Sequence, residues 1–249
     1  LMAMDTVKET VAYARSLEAK YNKNFRFTIT TNGMLLNDEN IAYINREMSN
    51  AVLSIDGRKE VNDDLRPTAG GQGSYDVIVP KFKKLIAERG DKEYHLRGTF
   101  TRFHKDFAED VKALTEIGKY VSVEPVVGKE SDPYAIQESD LEELKAEYER
   151  LAEYLKDRRD VNFFHFNVDL SQGPCVIKRL RGCGAGCEYV AITPDGDIYP
   201  CHQFVGNEEY KLGSVYDGTF NKELSSQFAG LNIYTREECR NCWARFYCS

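Results

Sequence analysis

Phe25-Arg26-Phe27-Thr28-Ile29-Thr30 alternates apolar and polar side chains at period two, then stops at Thr31-Asn32-Gly33, a turn signal. On its N-terminal side, Met4 to Tyr21 sets Val7, Val11, Ala14, Leu17 and Tyr21 at helical spacing. On its C-terminal side, Asn37 or Asp38 can cap a short helix carrying Ile41, Ile44 and Met48. Ala51 to Ile55 then reads as a compact apolar strand that ends at Asp56-Gly57. Helix, strand, helix, strand is the rhythm of a parallel sheet, and it continues along the chain. Val77, Ile78, Phe82, Leu85 and Ile86 form a helix face that Pro80 should kink or begin. Tyr94 to Thr101 and Tyr120 to Val127 are strand-like, and Phe107 to Ile117 between them is helical. Ser139 with Glu142 gives a capping box ahead of Leu141, Leu144, Tyr148, Leu151 and Leu155, and Val161 to Phe166 reads as the last strand. The pattern predicts an α/β fold with right-handed crossovers, its sheet either curled into a barrel or left open. Ligands in such sheets bind at the C-terminal strand ends, so the polar residues just past each strand are the ones of interest.

The 249 residues suffice for one or two domains with a full core, and 42% hydrophobic with 29% charged residues is ordinary for a globular protein. A net charge of −7 repels phosphate backbones and argues against a nucleic-acid partner. No apolar run approaches a membrane-spanning length and no secretory leader is visible. The chain opens on Leu1 and stops at Cys248-Ser249 within a cysteine-rich stretch, which reads as an internal fragment. Regular periodicity fades from Ser171-Gln172-Gly173-Pro174 onward, so a boundary is expected near residue 170, giving domains 1–170 and 171–249.

No cysteine precedes Cys175, and six of the seven lie between Cys183 and Cys248. Cys183-x3-Cys187 is followed by Cys201, and Cys239-x2-Cys242-x5-Cys248 closes the chain. Ligands so near in sequence can hold one metal or cluster at little loop entropy, and Gly182, Gly184 and Gly186 let the backbone wrap closely. Tyr189 to Pro200 reads as a hairpin about Pro194-Asp195-Gly196-Asp197 that returns Cys201 to Cys187. Placed after so long a patterned core, these thiols suggest a reduced, cytoplasmic protein with metal-ligating cysteines rather than a disulfide scaffold. Spacing alone leaves structural zinc and iron–sulfur clusters both open. Cys175 stands outside the pattern as a simple thiol.

The ordered run Cys183-x12-Gly196-x4-Cys201, then Cys239-x2-Cys242-x5-Cys248, resembles the SPASM domain of radical S-adenosylmethionine (SAM) proteins. The stretches 187–209 and 242–248 are similar to the SCIFF-type maturases, which build thioether crosslinks in short cysteine-rich peptides. The resemblance implies two auxiliary [4Fe–4S] clusters, one on Cys183, Cys187 and Cys201 and one on Cys239, Cys242 and Cys248. It implies further cysteine ligands beyond Ser249. It also implies a (β/α)6 barrel, here partial. The family's CxxxCxxC loop and Gly-Gly-Glu-Pro segment are absent, so the first two strands and the ligands of the SAM-cleaving [4Fe–4S] cluster are missing, and this stretch alone should be inactive.

Carried onto the barrel, the resemblance makes Thr31-Asn32-Gly33 the Thr-Asn-Gly motif at the third strand. It makes Ser54 and Arg66 the contacts to the ribose and carboxylate of S-adenosyl-L-methionine, with Asp56 a further cofactor-binding candidate; read by themselves, Asn32-Gly33 is also a turn, Asp56 also a helix cap and Arg66 also a surface ion pair. A hydroxyl suits a ribose and a guanidinium fork suits a carboxylate. His202 follows a proposed cluster ligand where anaerobic sulfatase maturases carry an aspartate, so it is a candidate base that disfavours that subtype. Gly70-Gly71-Gln72-Gly73 lacks the Lys-Ser/Thr of a P-loop, and His95, His104 and His165 lack ligand spacing. The implied partners are a small cysteine-rich precursor peptide and an electron donor such as ferredoxin or flavodoxin. Another SPASM maturase and a non-catalytic zinc-binding interaction module are the competing readings.

Overall fold

The structure is a computed structural model that describes residues 1–167, 180 and 182–246. Cys175, Cys248 and the Ser171–Pro174 boundary segment lie outside the described residues. The chain divides into two compact units, Leu1–Asn167 and Val168–Ser249.

The first unit is built on five parallel strands: β1 (Thr28–Thr31), β2 (Asn50–Ser54), β3 (Glu93–Phe100), β4 (Tyr120–Pro125) and β5 (Asn162–Phe163). They lie side by side in chain order. A doubly wound sheet reverses its order at a switch point, whereas consecutive neighbours with same-handed crossovers are the arrangement of a barrel wall. Between the strands run α1 (Met4–Tyr21), α2 (Asp38–Glu47), α3 (Lys59–Leu65), α4 (Tyr75–Ala87), α5 (Phe107–Thr115) and α6 (Leu141–Leu155).

One sheet face is apolar. Ala51, Leu53, Leu96, Phe100, Val121, Val123 and Phe163 share a core with Ile44, Phe82, Leu85, Val111, Leu114 and Leu151 from the helices. Phe100 and Phe107 stack with ring centroids 4.4 Å apart. Burying each such side chain contributes about 1.5–3 kcal/mol.

Several local features differ from the sequence reading. β1 starts at Thr28, after Phe25 and Phe27, and β5 gives way to a 3-10 turn at Phe164–Phe166. Pro80 lies inside α4, which begins at Tyr75, where Asp63 Oδ1 accepts the first backbone N–H at 2.8 Å. The capping box ahead of α6 is formed by Gln137 and Asp140 rather than Ser139 and Glu142, because a 3-10 turn at Glu138–Asp140 moves the cap upstream. Asn37 does cap α2, accepting from Asn40 N at 2.8 Å.

The second unit holds a small antiparallel sheet, β6 (Ala191–Ile192), β7 (Asp197–Tyr199), β8 (Gly213–Ser214) and β9 (Thr219–Phe220), in that order. Two short helices follow, α7 (Lys222–Gly230) and α8 (Glu237–Arg240). Phe204, Tyr210 and Phe228 pack together as an aromatic cluster, with centroids 4.6–6.1 Å apart. No described helix is long and apolar enough to cross a membrane.

The turn after β2 depends on Gly57. Its φ of +141° suits glycine, and a Cβ there would lie 2.4 Å from Asp110 of α5. That approach lets Asp110 Oδ1 accept both the backbone N and Nε of Arg58, each at 2.9 Å. Gly57→Ala should therefore cost at least about 2 kcal/mol of stability, read as a lowered urea midpoint. An unchanged midpoint would mean that this turn is not held as described.

Candidate functional site

The C-terminal end of β2 carries a closed ring of polar contacts. Asp56 is 3% exposed, and its carboxylate receives Arg66 as a fork, Nε to Oδ2 at 2.5 Å and Nη2 to Oδ1 at 3.1 Å. Oδ1 also accepts the Thr99 backbone N–H at 2.8 Å, which ties the ring to β3. Arg66 closes α3, its backbone N donating to Asn62 O at 2.8 Å. Ser74 Oγ donates to Arg66 O at 2.7 Å, and fully buried Asn62 bonds Ser74 Oγ at 3.0 Å and accepts from Asp56 N at 3.4 Å. A planar fork held at one edge by a buried carboxylate still has donors to spare, and the Arg66 side chain keeps 33% exposure. Ser54, the last residue of β2, is half-buried on the opposite face of the strand from Leu53. Sequence reasoning named Ser54, Asp56 and Arg66 but not α3 or the Asn62–Ser74 brace.

At the end of β1, Thr31 is buried and accepts the Gly33 N–H at 3.1 Å, while exposed Asn32 accepts Met34 N at 3.3 Å. Thr31-Asn32-Gly33 is thus a side-chain-closed turn, packed where Gly33 abuts the Phe82 ring.

The second face of the sheet is polar. Ser54, Arg97 and Ser122 sit in one register row across β2, β3 and β4, and Thr99 and Glu124 sit in the next but one. Arg97 Nη2 donates to Glu124 Oε2 at 2.7 Å, and Ser122 Oγ donates to Oε1 at 3.1 Å. Burial pushes the Glu124 carboxyl up, but Arg97, Ser122 and His165 outweigh it and hold it below the usual range. His165 Nδ1 shares a hydrogen bond of 3.1 Å with the Tyr148 hydroxyl. Arg97, Ser122 and Glu124 were not singled out from sequence. The available signal was the strand Glu93-Tyr94-His95-Leu96-Arg97-Gly98-Thr99-Phe100 itself, since a parallel sheet is normally apolar on both faces.

In the second unit, β6 and β7 form the expected hairpin, with Ala191 opposite Tyr199 and a turn closed by Gly196 N to Thr193 O at 2.9 Å. Gly186 N lies 3.0 Å from both Tyr189 O and Pro200 O, which brings the backbone at Cys187 beside that at Cys201. Gly182, Gly184 and Gly186 all have positive φ, 63° to 77°, so the chain coils tightly through Cys183 and Cys187. Cys201 is buried, while Cys183 and Cys187 are exposed. The Tyr189 hydroxyl lies 3.8 Å from Cys183 Sγ. Partial burial, then the Cys183 and Cys201 sulfurs, push its phenol up to about 12. Cys183, Cys239 and Cys242 line one cavity of about 610 Å³, together with Phe204, Phe228 and Arg236. Among the described residues, no three His, Cys, Asp or Glu side chains are close enough to share a single metal ion. His202 is exposed at the start of a 3-10 turn that follows Cys201. Three of the groups lining the cavity are thiols, beside Glu238, and thiolate is the ligand type that iron–sulfur clusters take.

Residues 183–243 match the SPASM family, an iron–sulfur cluster-binding domain. The chain is 25% identical to the cysteine-type anaerobic sulfatase-maturating enzyme of Clostridium novyi (strain NT), over 97% of this chain and 67% of that protein. It is also 25% identical to the serine-type anaerobic sulfatase-maturating enzyme of Bacteroides thetaiotaomicron, over 95% of this chain and 63% of that one. The solved structure of native anSMEcpe with bound AdoMet superposes with a TM-score of 0.72 at 18% identity, over 98% of this chain and 70% of that one. Streptococcus suis SuiB bound to S-adenosylmethionine gives 0.59 at 19% identity, over 89% and 54%. The fold is the α/β fold of the radical SAM enzymes, with an SPASM domain toward the C-terminus. By sequence, the chain is similar to the anaerobic sulfatase-maturating enzymes, and it spans 55–67% of the length of the curated relatives it matches.

The polar face also sets a pH response. Burial pushes the imidazoles of His95 and His165 below their ordinary value of 6.5, against the opposing pull of Glu93 and Glu124. The unfolded chain then binds protons that the folded one refuses, so stability is full above pH 6.5 and falls as pH drops below it. The urea midpoint should decline from about pH 7 to about pH 5.5, and the double variant His95→Gln/His165→Gln should lose part of that decline. A decline of the same size in the variant would refute the assignment.

Proposed function

We propose that this chain forms the cofactor-binding sheet and the auxiliary-cluster domain of a radical SAM maturase acting on a small cysteine-rich peptide. The bond it makes is a thioether between a cysteine sulfur and an α-carbon, as in the SCIFF-type maturases. The observation that carries this reading is the Asp56–Arg66 fork beside Ser54 at a strand end, in a chain where Cys183, Cys239 and Cys242 also line one cavity.

Arg66 would present its spare guanidinium edge to the carboxylate of S-adenosyl-L-methionine, and Ser54 its hydroxyl to the ribose, with Thr31, Asn32 and Gly33 shaping the neighbouring turn. Asp56 holds Arg66 in place. Cys183, Cys187 and Cys201, with Cys239, Cys242 and Cys248, would hold the two auxiliary [4Fe–4S] clusters. Cys183, Cys239 and Cys242 line one cavity, which supports a cluster site in this part of the chain. When bound, the SAM centre supplies a radical that removes a hydrogen atom, and the auxiliary clusters supply an electron acceptor. His202, exposed, is available to take the thiol proton of the peptide cysteine. A low-potential donor such as ferredoxin or flavodoxin would feed electrons in, in the cytoplasm.

A second reading is maturation of a sulfatase, favoured by the similarity to the sulfatase-maturating enzymes. The histidine at position 202 argues against it. The full-length protein, reconstituted anaerobically with iron, sulfide, S-adenosylmethionine and reductant, separates the two. A cysteine-rich peptide encoded beside the gene should lose two hydrogens per crosslink by mass spectrometry, with a sulfatase-derived peptide untouched. Modification of the sulfatase peptide alone would favour the second reading, and stoichiometric zinc without iron would sink both.

A hydrogen bond to a cluster thiolate raises the cluster's reduction potential. Tyr189→Phe should therefore move an auxiliary-cluster midpoint to more negative potential in an EPR-monitored titration at unchanged iron content. No movement would remove Tyr189 from the cluster's surroundings.

A further inference from the structure

The charged pair on the polar sheet face has no part in the roles assigned above. Arg97 and Glu124 keep side-chain exposures of 48% and 33%, in the middle of a parallel sheet where charge is normally excluded. Their mutual contact uses one guanidinium N–H and one lone pair. Ser122, itself buried, takes a second lone pair and fixes the carboxylate. A guanidinium has five donors and a carboxylate about four acceptor sites, so among the described residues both groups retain unused capacity.

The pair is neutral overall, which decides the chemistry of its ligand. A carboxylate would be repelled by Glu124 and an ammonium by Arg97. The group that fits has no net charge and carries a donor next to an acceptor, as a peptide unit does and as the zwitterionic amino acid end of S-adenosylhomocysteine also does. A peptide offers this on either side of each α-carbon, with N–H for Glu124 and C=O for Arg97. On the same face, Phe164 is 54% exposed and lies 6.4 Å from the His95 ring, an apolar surface for a neighbouring side chain. Ser54 is in register with Arg97, so whatever the pair holds lies one strand spacing from the β2 end.

We infer that Arg97 and Glu124 bracket the main-chain amides of the substrate peptide and hold one of its α-carbons on the polar face. This rests on the peptide-maturase reading and names the substrate-positioning groups within it. The adenine edge and the zwitterionic end of S-adenosylhomocysteine also pair a donor with an acceptor, and the experiment separates both from the peptide.

The test uses full-length, cluster-loaded protein with two probes, a fluorescein-labelled synthetic cysteine-containing peptide and S-adenosylhomocysteine. Arg97→Gln, Glu124→Gln and the double variant should weaken peptide binding by about tenfold or more, with S-adenosylhomocysteine affinity unchanged. Methylating the amide nitrogen of the reacting residue should weaken wild-type binding similarly and have little further effect on Glu124→Gln. Circular dichroism and thermal melts check that each variant folds, and Arg97→Lys, which keeps the charge but loses the fork, should recover only part of the affinity. Weakened S-adenosylhomocysteine binding with unaltered peptide binding would overturn the inference in favour of the nucleoside. Variants indistinguishable from wild type with both probes would also overturn it. Wild-type protein that binds S-adenosylhomocysteine but no peptide would instead defeat the peptide-maturase reading on which it stands.

Discussion

The fork between Arg66 and the buried carboxylate of Asp56 is the constraint on which the rest of the first unit's chemistry depends. A carboxylate 3% exposed is costly unless matched, and Arg66 with the Thr99 amide matches it. To bring Arg66 back to the strand end, the chain needs the Gly57 turn, α3 and the Asn62–Ser74 brace. The result is a cation that is fixed in direction, partly exposed, and placed where a parallel sheet presents its ligands.

The sheet itself explains why that cation has work to do. Its helix-facing side is closed by aliphatic and aromatic packing, while the other side carries Ser54, Arg97, Thr99, Ser122 and Glu124 in two register rows. Such a face gains little from a hydrophobic cover and is suited to a polar ligand. The second unit works by different means. Its short strands and helices bury little, and its cohesion comes from a hairpin, an aromatic cluster and glycine turns that bring cysteines together.

Much of this was legible in the sequence because it rests on periodicity. The α1 boundaries, the strand at Ala51–Ile55 and the hairpin between Cys187 and Cys201 follow from alternation, helical spacing and turn chemistry. The parts that were not legible depend on contacts between distant residues. α3 carries few apolar residues and is held by Asn62 and Asp63, so no periodic stripe announces it. The α6 cap moved because Asp140 serves as the acid of a box begun by Gln137, a choice that local sequence offered twice. The pairing of Arg97 with Glu124 spans two strands and becomes visible only with the register. The candidate contacts at Ser54, Asp56 and Arg66 came from resemblance; their mutual geometry came from the fold.

The central claim is that the Asp56–Arg66 fork anchors the carboxylate of S-adenosylmethionine. Isothermal titration of S-adenosylhomocysteine into the full-length protein, wild type against Arg66→Gln, addresses it most directly. The account predicts binding to wild type and a loss of at least about tenfold in the variant, whose melting temperature falls because Asp56 loses its partner but whose circular dichroism at the titration temperature stays that of the folded protein. Equal affinity in the two proteins would contradict it.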